Sequence, residues 1–314
     1  MKAVVIREYG SPEVLQYQEV EPPKIKPDQL LVKVRATCVN PVDWKIRKGM
    51  LKLITGNKFP MILGFDLSAD VVEVGSQVTR FKPGDAIYGN VGLLGGAYAE
   101  LAAVPEKSVA LKPTNMTYEE AASVPVAALT ALQALQDLAH IQVGQTVLIN
   151  GASGGVGTFA VQIAKALGAE VTAVCSTKNI ELVKSLGADR VIDYSQQDFT
   201  QGTAQYDIIL DAVAKQSFSS CKQVLKPNGI YVNTLPTPET IVQSVLTAFI
   251  PGKKAKFILE TPRSQDLLYL KELIEAGKIR SVIDRTFPLQ ELAAAHAYSE
   301  SERAVGKIAI AVAG

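Results

Sequence analysis

The stretch Thr146–Gly168, TVLINGASGGVGTFAVQIAKALG, decides how the rest of the chain is interpreted. It opens with the apolar, β-branched run Val147–Ile149, which is typical of a buried strand. A glycine-rich turn follows, and the segment after the turn carries apolar residues at helical spacing: Val156, Phe159, Ile163 and Leu167. The pattern predicts a strand, a tight turn and a helix in direct succession.

The turn matches the phosphate-binding pattern G-x-G-x-x-G, with Gly154 and Gly157 as its second and third glycines and Ala152 at the first position. Little side-chain bulk lets backbone N–H groups approach a pyrophosphate, and the following helix presents the positive end of its dipole to that charge. A glycine-rich match alone is weak evidence, but a strand before it and a helix after it make it specific. The stretch therefore predicts a dinucleotide site.

The composition of the 314-residue chain is that of a soluble globular protein with one to three domains. Apolar residues make up 47% and the formal net charge is +1, which excludes the basic surface expected for nucleic-acid binding. The three cysteines, Cys38, Cys175 and Cys221, form neither a disulfide framework nor a CxxC pattern. The sequence shows no secretory signal and no long apolar run, so we expect a cytoplasmic protein without an integral membrane segment.

The first 125 residues are predicted to form a compact, barrel-like β domain. Ten of the 16 prolines lie in this part and divide it into short β-branched segments and turns such as Lys82–Asp85. Thr117–Glu120 then matches a capping box. We expect the alanine-rich segment from there through His140 to be mostly helical.

From Thr146 onward strand and helix patterns alternate, which predicts a parallel sheet with helices on both faces. The expected strands are 146–150, 171–175, 190–194, 207–212, 230–235 and 256–260, and the expected helices run to 167 and over 180–186, 218–225 and 240–249. The turn Pro227–Gly229 is expected to separate a helix from the next strand. Helices near 266–275 and 289–299 follow, with an extended piece near 282–286, and the apolar tail KIAIAVAG is expected to return to the β domain.

The end of the second strand of this alternation decides between the two nicotinamide cofactors. An NAD site places a carboxylate there to accept from the ribose 2′-OH, but this chain reads Ser176-Thr177-Lys178, with no carboxylate until Glu181. Two hydroxyls and a lysine suit a 2′-phosphate, which a carboxylate would repel. NADPH is therefore the predicted cofactor, and Tyr194, at the end of the third strand, is either beside the adenosine phosphate or buried.

Three further stretches carry a resemblance to a known family: Asn40–Lys45 (NPVDWK), Gly64–Gly89 and Val305–Ile308 (VGKI). Together with the glycine turn they resemble the medium-chain dehydrogenase/reductase superfamily, and most closely its zinc-independent branch of NADPH:quinone and enone oxidoreductases. The likeness runs over nearly the whole chain. These motifs are specific for the superfamily and less so for the substrate.

The resemblance implies an α/β fold with a GroES-like β-barrel catalytic domain, residues 1–124 and 263–314, and a Rossmann domain with a doubly wound parallel sheet, residues 125–262. It also implies an active-site cleft between the two domains and, as a family habit, a homodimer joined through the edge of the Rossmann sheet. The cofactor contacts that it implies are Lys45, Thr130, Ser153, Gly154, Gly155, Val156, Ser176, Thr177, Lys178, Tyr194, Leu235, Gly306 and Lys307.

The chain departs from the zinc-containing alcohol dehydrogenases of the same superfamily. Asn40 stands where they carry a cysteine ligand, and Gly64-Phe65-Asp66 stands where they carry a Gly-His-Glu motif. Cys38 and two distant histidines do not build a three-ligand zinc site, so no metal is expected. Without a Lewis acid the acceptor must spread its own negative charge, as quinones and α,β-unsaturated carbonyls do.

Reduction of such an acceptor is helped by a hydrogen-bond donor near its oxygen. Lys45 and Tyr88 are the candidate catalytic residues, with the plainer alternatives that Lys45 only holds cofactor and that Tyr88 only packs. The predicted function is hydride transfer from NADPH to a quinone or an enone. The alternative is an NADPH-binding protein with little turnover that acts in a redox-sensing interaction.

Overall fold

The computed structural model describes residues 1–92 and 95–312 of the chain. The chain divides into two compact units. The first unit comprises Met1–Val126, Pro262–Glu275 and Ser281–Gly314, and the second comprises Ala127–Thr261 and Ala276–Arg280. The last two residues of the predicted C-terminal tail, Ala313 and Gly314, lie outside the described residues.

The first unit is built mainly from antiparallel strands. Its N-terminal part has the strands β1 (Lys2–Ile6), β2 (Gln16–Glu19), β3 (Gln29–Val39), β4 (Met61–Ile62), β5 (Asp66–Val74), β6 (Ala86–Asn90), β7 (Leu101–Pro105) and β8 (Val109–Leu111). Its helices there are α1 (Pro41–Arg47), α2 (Lys52–Thr55) and α3 (Tyr118–Ala122). The predicted capping box begins α3, because Thr117 Oγ1 accepts from the Glu120 N–H and the Glu120 carboxylate accepts from the Thr117 N–H.

The chain continues as alternating helices and strands. The helices are α4 (Pro125–Gln133) with a π-helical segment at Ala134–Leu138, α5 (Gly155–Ala166), α6 (Ile180–Ser185), α7 (Phe218–Cys221) and α8 (Pro238–Ala248). The strands are β9 (Thr146–Asn150), β10 (Glu170–Cys175), β11 (Arg190–Asp193), β12 (Tyr206–Asp211), β13 (Leu225–Asn233) and β14 (Lys254–Phe257).

These six strands form one parallel sheet in the order β11-β10-β9-β12-β13-β14. The order reverses between β9 and β12, and ligands of such sheets bind at the carboxyl ends of the strands beside this switch point. The apolar run Val147–Ile149 is fully buried in β9, as are Phe159 and Ile163 of α5. The predicted doubly wound parallel sheet is confirmed.

The C-terminal part of the chain contributes α9 (Ser264–Glu275), β15 (Ile283–Pro288), α10 (Leu292–Glu300) and β16 (Lys307–Ala311) to the first unit. β16 pairs antiparallel with β3, with Ile310 opposite Thr37, and parallel with β15. The resulting sheet has the order β15-β16-β3-β5-β6-β8, and β7 pairs with β3 outside this path. The expected return of the tail to the β domain is therefore confirmed.

β3 changes its pattern of burial along its length within the first unit. Leu30, Val32 and Val34 are buried and alternate with half-buried residues, as in a strand with one core face. From Ala36 to Val39 every residue is buried, including the polar Thr37 and Cys38. This fully buried end brings polar groups together inside the unit.

One turn expected from the sequence is wrong. Pro227–Gly229 was expected to separate a helix from a strand, but β13 runs from Leu225 to Asn233 through this segment. Its pairing with β12 shifts register between Tyr206 and Ile208, and the irregularity accommodates the proline, which lacks a ladder donor. The preceding helix is correspondingly shorter than expected, since α7 ends at Cys221 and a 3₁₀ turn follows.

Candidate functional site

The glycine turn places the start of α5 directly after β9. Gly151 bends the chain, because its φ is +76° and a Cβ there would lie 2.4 Å from a methyl carbon of Val213. The positive φ therefore falls one residue before Ala152, which the sequence pattern assigned to the first glycine position. The Ala152 N–H instead donates to the carbonyl of Val174 at 2.9 Å and ties the turn to β10.

The third glycine lets α5 pack closely against the turn. A Cβ on Gly157 would lie 2.1 Å from the carbonyl oxygen of Gly151, so a larger residue does not fit there without a shift. Gly154 precedes the helix in an extended conformation and supplies no side-chain cap. The first N–H groups of α5, on Gly155 and Val156, are therefore free of a capping side chain, and such groups bind phosphate.

The loop after β10 lies beside this turn. Ser153 Oγ accepts from the side-chain amide of Asn179 at 2.9 Å, which joins the turn to the loop. Between β10 and Asn179 the chain presents the half-buried Ser176 and the exposed Thr177 and Lys178. Within residues 1–92 and 95–312 the Lys178 ammonium has no hydrogen-bond or ion-pair partner. The predicted phosphate ligands are thus next to the turn, and one of them carries an unpaired positive charge.

Asp193 also lies next to this loop, and sequence reasoning missed it. β10 and β11 pair in parallel with Cys175 opposite Asp193, and a prediction of this strand register would have placed Asp193 beside the loop. The carboxylate accepts from Thr177 Oγ1, from the N–H and hydroxyl of Ser195, and from the Gln196 amide. These bonds, that of Thr177 above all, lower the pKa of Asp193. The Thr177 hydroxyl is therefore engaged with a carboxylate.

The remaining predicted contacts of the second unit divide between the sheet edge and a helix. Tyr194 is 63% exposed and its N–H donates to the carbonyl of Cys175 at 3.1 Å, which excludes the alternative of a buried tyrosine. Leu235 follows β13, is half exposed, and its N–H donates to Asn233 Oδ1 at 2.8 Å. Both lie at the carboxyl edge of the sheet, with the glycine turn. Thr130 is nearly buried within α4.

Lys45 lies on α1 in the first unit. The helix begins after Asn40, whose N–H donates to Asp43 Oδ2 at 2.6 Å in a capping box. The Lys45 ammonium lies 5.5 Å from the ring centroid of Trp44 and makes no hydrogen bond to a described residue. Partial burial lowers the pKa of this amine. The geometry leaves its donors available to a ligand.

Tyr88 does not have the position that a donor to substrate needs. The side chain is fully buried in β6, and its hydroxyl donates to the carbonyl of Leu267 at 2.5 Å. Burial raises the pKa of this phenol well above its usual value. The hydroxyl proton thus holds α9 against the sheet of the first unit. The suggestion that Tyr88 stabilises an oxyanion is corrected, and the packing alternative is favoured.

Gly306 and Lys307 stand at the start of β16. Gly306 has a φ of +76°, and a Cβ there would lie 2.2 Å from the carbonyl oxygen of Val282. The Lys307 side chain is 4% exposed, and its ammonium donates to Asn40 Oδ1 at 2.5 Å and lies 3.8 Å from Asp66 Oδ2. The described contacts of this side chain are internal to the first unit. Its predicted contact with the cofactor stays a prediction.

Two family models match the chain. The GroES-like domain of alcohol dehydrogenases matches residues 26–114, and the zinc-binding dehydrogenase family matches residues 186–310. A chloroplast envelope quinone oxidoreductase homolog from Arabidopsis thaliana is 37% identical, over 99% of this chain and 98% of its own length. The chain belongs to the medium-chain dehydrogenase/reductase superfamily.

Further members of the superfamily are similar over the whole chain. A 2-methylene-furan-3-one reductase from Solanum lycopersicum is 37% identical over 99% of this chain and 79% of that protein. The structure of the quinone oxidoreductase from Coxiella burnetii superposes with a TM-score of 0.92 and 32% identity, over 100% of this chain and 99% of that one. The predicted family and fold class are confirmed. This medium-chain oxidoreductase has a GroES-like unit and a Rossmann-type unit, which together indicate a nicotinamide cofactor.

Zinc is the metal that one of the matching family models implies, and a catalytic zinc site needs three protein ligands. Within the described ranges, no group of three or more His, Cys, Asp or Glu side chains could hold a metal ion. Cys38 donates from Sγ to Asp66 Oδ2 at 3.2 Å, and burial raises the pKa of its thiol. The described residues of this medium-chain oxidoreductase therefore offer no three-ligand site for zinc.

Proposed function

We propose that this protein transfers hydride from NADPH to a quinone or an α,β-unsaturated carbonyl compound without a metal. The observation that carries the proposal is the unpaired Lys178 beside the uncapped start of α5, where β10 ends without a carboxylate. The Arabidopsis thaliana relative named an NADPH-dependent alkenal/one oxidoreductase, 36% identical over 99% of this chain, supports the same reading.

The 2′-phosphate of NADPH is the group that suits the end of β10. The Lys178 ammonium would pair with it, and the Ser176 hydroxyl would donate to it. Asp193 accepts from Thr177, Ser195 and Gln196, and these bonds keep its carboxylate ionised, so the assignment depends on the positive charge of Lys178. Thr177 itself is the weakest of the predicted ligands, since its hydroxyl is engaged there.

The first unit would supply a hydrogen-bond donor to the acceptor. When bound, reduced nicotinamide supplies a hydride, which in an enone enters at the β-carbon and leaves negative charge on the carbonyl oxygen. Lys45, with its free ammonium donors, is the proposed hydrogen-bond donor to that oxygen. A conjugated acceptor spreads the charge over several atoms, so a single donor without a Lewis acid suffices. No acid–base residue is assigned to the final protonation.

A screen of acceptors tests the proposal. Oxidation of NADPH and of NADH is followed at saturating quinone and with short- and long-chain enones, in metal-free buffer. We expect turnover with at least one conjugated acceptor, a preference for NADPH and no effect of a chelator. Absence of turnover with every acceptor, together with a partner captured only in the presence of NADPH, would favour the redox-sensing alternative instead.

A homodimer through the edge of the parallel sheet remains part of the proposal. Among the described residues β14 is the last strand in the order, with β13 as its neighbour. The adjacent α8 exposes Val242, Val245 and Leu246, and Phe249 follows the helix with 86% of its surface exposed. Light scattering on the purified protein is expected to give twice the mass of one chain. Phe249→Ser is expected to lower this mass.

The cytoplasmic location also remains a prediction. None of the helices in residues 1–92 and 95–312 has the length and apolar character needed to cross a bilayer. Relatives named as chloroplastic and mitochondrial occur in the same superfamily. Fractionation of the cells that make the protein is the measurement that decides between these compartments.

A further inference from the structure

Four buried polar side chains meet at the end of β3 in the first unit. Asp66 Oδ2 accepts from Cys38 Sγ at 3.2 Å and from Asn40 Nδ2 at 3.0 Å, and the Lys307 ammonium lies 3.8 Å from the same oxygen. The other carboxylate oxygen, Asp66 Oδ1, accepts from the Val126 N–H at 2.9 Å. We refer to Cys38, Asn40, Asp66 and Lys307 as the internal cation cluster.

The positive charge of Lys307 is balanced by a negative charge within this cluster. An ammonium that is 4% exposed is costly to bury unless an anion and hydrogen-bond acceptors surround it. Asp66, which is fully buried, supplies the opposite charge, and Asn40 Oδ1 accepts from the ammonium at 2.5 Å. The amide of Asn40 is thereby held in one orientation, with its oxygen toward the cation and its nitrogen toward the carboxylate.

One residue of the cluster, Asn40, stands at a sequence position that holds the metal in zinc-containing relatives. By the resemblance given above, Asn40 stands at their cysteine ligand and Phe65-Asp66 at their His-Glu pair. We propose that the ammonium of Lys307 takes the place of zinc in this member of the superfamily, as a fixed internal cation that neutralises Asp66 and orients Asn40. A cation of the chain itself contacts Asn40, at the position of one zinc ligand, and lies near Asp66, which follows the position of another.

The internal cation also connects β16 to α1. Asn40 begins α1, so the Lys307 contact anchors the helix that carries Lys45. Lys307 is on this view a positioning residue for Lys45. This second role rests on the proposed function, whereas the replacement of zinc by the ammonium does not.

A double-mutant cycle on purified full-length protein tests the replacement. Asp66→Asn and Lys307→Met are made singly and together, and Tm is measured for each. Each single change leaves one buried charge unpaired and is expected to lower Tm by roughly 5 °C or more. The double variant is expected to lose clearly less than the sum of the two, because neither charge remains.

The matched control is the pair Asp207 and Lys226 in the second unit. Their side chains are joined at 2.7 Å but are 22% and 40% exposed, so solvent screens them. Asp207→Asn and Lys226→Met are expected to change Tm little and additively. Lys307→Arg, which keeps the charge, is expected to retain more of the wild-type Tm than Lys307→Met.

Metal content gives a readout that is independent of stability and of activity. Wild-type protein is incubated with zinc chloride, desalted and measured by mass spectrometry for bound zinc, and no stoichiometric zinc is expected. A full equivalent of zinc in the wild type, or additive Tm losses like those of the control pair, overturns the proposal. If Lys307→Met does not fold but the double variant does, the proposal is supported. If neither variant folds, the proposal is contradicted.

Discussion

At the scale of single residues, the segments where β10 and β11 end carry opposite charges. Asp193 is held by three neighbouring side chains, and Lys178 has no partner among the described residues. The hydrogen bonds to Asp193 stabilise its ionised form, so the negative charge remains beside the loop. A free ammonium beside a helix start is a strong ligand for one. In the proposed function, binding of the 2′-phosphate of NADPH therefore depends on Lys178.

Lys178→Met is expected to raise KM for NADPH roughly ten- to hundredfold, because a charged hydrogen bond to the 2′-phosphate is lost. KM for NADH is expected to stay within about twofold, since NADH has no group there. Steady-state kinetics with both cofactors measure the difference. Lys184→Met is the control, because Lys184 is exposed on the following helix and pairs with Glu181 at 3.0 Å. Equal losses with both cofactors would contradict the assignment.

Two buried titratable groups of the first unit act on stability in opposite directions. His296 is fully buried, its Nδ1 accepts from Arg47 Nε at 3.3 Å, and burial, with Arg47 adding to it, lowers its pKa to about 3. Asp43 is also fully buried, and burial raises its pKa to about 7. In the folded state the histidine is therefore neutral and the carboxyl protonated over much of the acidic range.

These shifts predict opposite pH dependences. Between about pH 6.5 and 4, His296 gains a proton in the unfolded state but not in the folded state. Its contribution to the free energy of unfolding is therefore lost as pH falls. Asp43 takes up a proton near pH 7 in the folded state but not in the unfolded state. Its contribution to the free energy of unfolding therefore grows as pH falls over the same window. Each effect is at most about 1.4 kcal/mol per pH unit, and in the wild type they largely cancel.

Asp43→Asn should therefore make the free energy of unfolding fall more steeply with acidification than in the wild type, and His296→Gln should make it fall less steeply. Urea denaturation from about pH 7 to about pH 4.5 measures both slopes. Comparison with the wild type removes the contribution of the other carboxylates. Parallel pH profiles for all three proteins would show that these residues titrate normally.

At the scale of elements, the glycines of the turn before α5 have separable roles. Gly157→Ala places a methyl group 2.1 Å from the Gly151 carbonyl and is expected to destabilise the fold by about 1–3 kcal/mol. Gly154→Ala meets the same carbonyl only at 3.4 Å in an extended conformation, so Tm should change little. Cofactor binding is nevertheless expected to weaken, because the methyl group obstructs the approach of the pyrophosphate.

Thermal unfolding and NADPH titration by fluorescence separate the two cases. The expected pattern is a loss of Tm for Gly157→Ala and a loss of affinity at unchanged Tm for Gly154→Ala. If Gly154→Ala binds NADPH as the wild type does, the pyrophosphate does not lie on this turn.

The elements that the sequence predicted well are those in which a local pattern decides the structure. Thr146–Gly168 combines a buried strand, a glycine turn and an amphipathic helix, and all three occur as expected. The segment Pro227–Gly229 has an equally strong local turn pattern, and it lies within β13 at an irregularity, because β12 pairs with Leu225 and next with Ile230. The paired residues on either side make the segment part of one strand, and the irregularity between them accommodates the proline.

The site was only partly predictable for the same reason. Ser176 and Lys178 follow a strand directly, so their place at the sheet edge follows from local order. Asp193 reaches the same edge through parallel pairing with β10, and Lys307 reaches Asn40 through pairing of β16 with β3. Such contacts depend on strand order, which a single sequence without an alignment does not specify.

At the scale of the whole molecule, β16 completes the first unit. A chain that ends at Val305 lacks the strand between β15 and β3, and two neighbouring strands then lose their hydrogen-bonded partner. We expect the first unit of this variant to be degraded rapidly by a protease. A chain that ends at Val312 keeps β16 and is expected to resist like the full-length protein. Limited proteolysis followed by mass spectrometry compares them, and equal resistance would contradict the role given to β16.

The pairing of β3 with β16 has a consequence for biosynthesis. β3 leaves the ribosome before the parallel sheet, but its partner β16 is translated only after that sheet, on the order of tens of seconds later at about 5–20 residues per second. The parallel sheet from β9 to β14 is translated without interruption in between. The nascent chain therefore carries the complete parallel sheet and an unpaired part of β3 until β16 has emerged. During that interval it should depend on chaperones far more than the mature protein does.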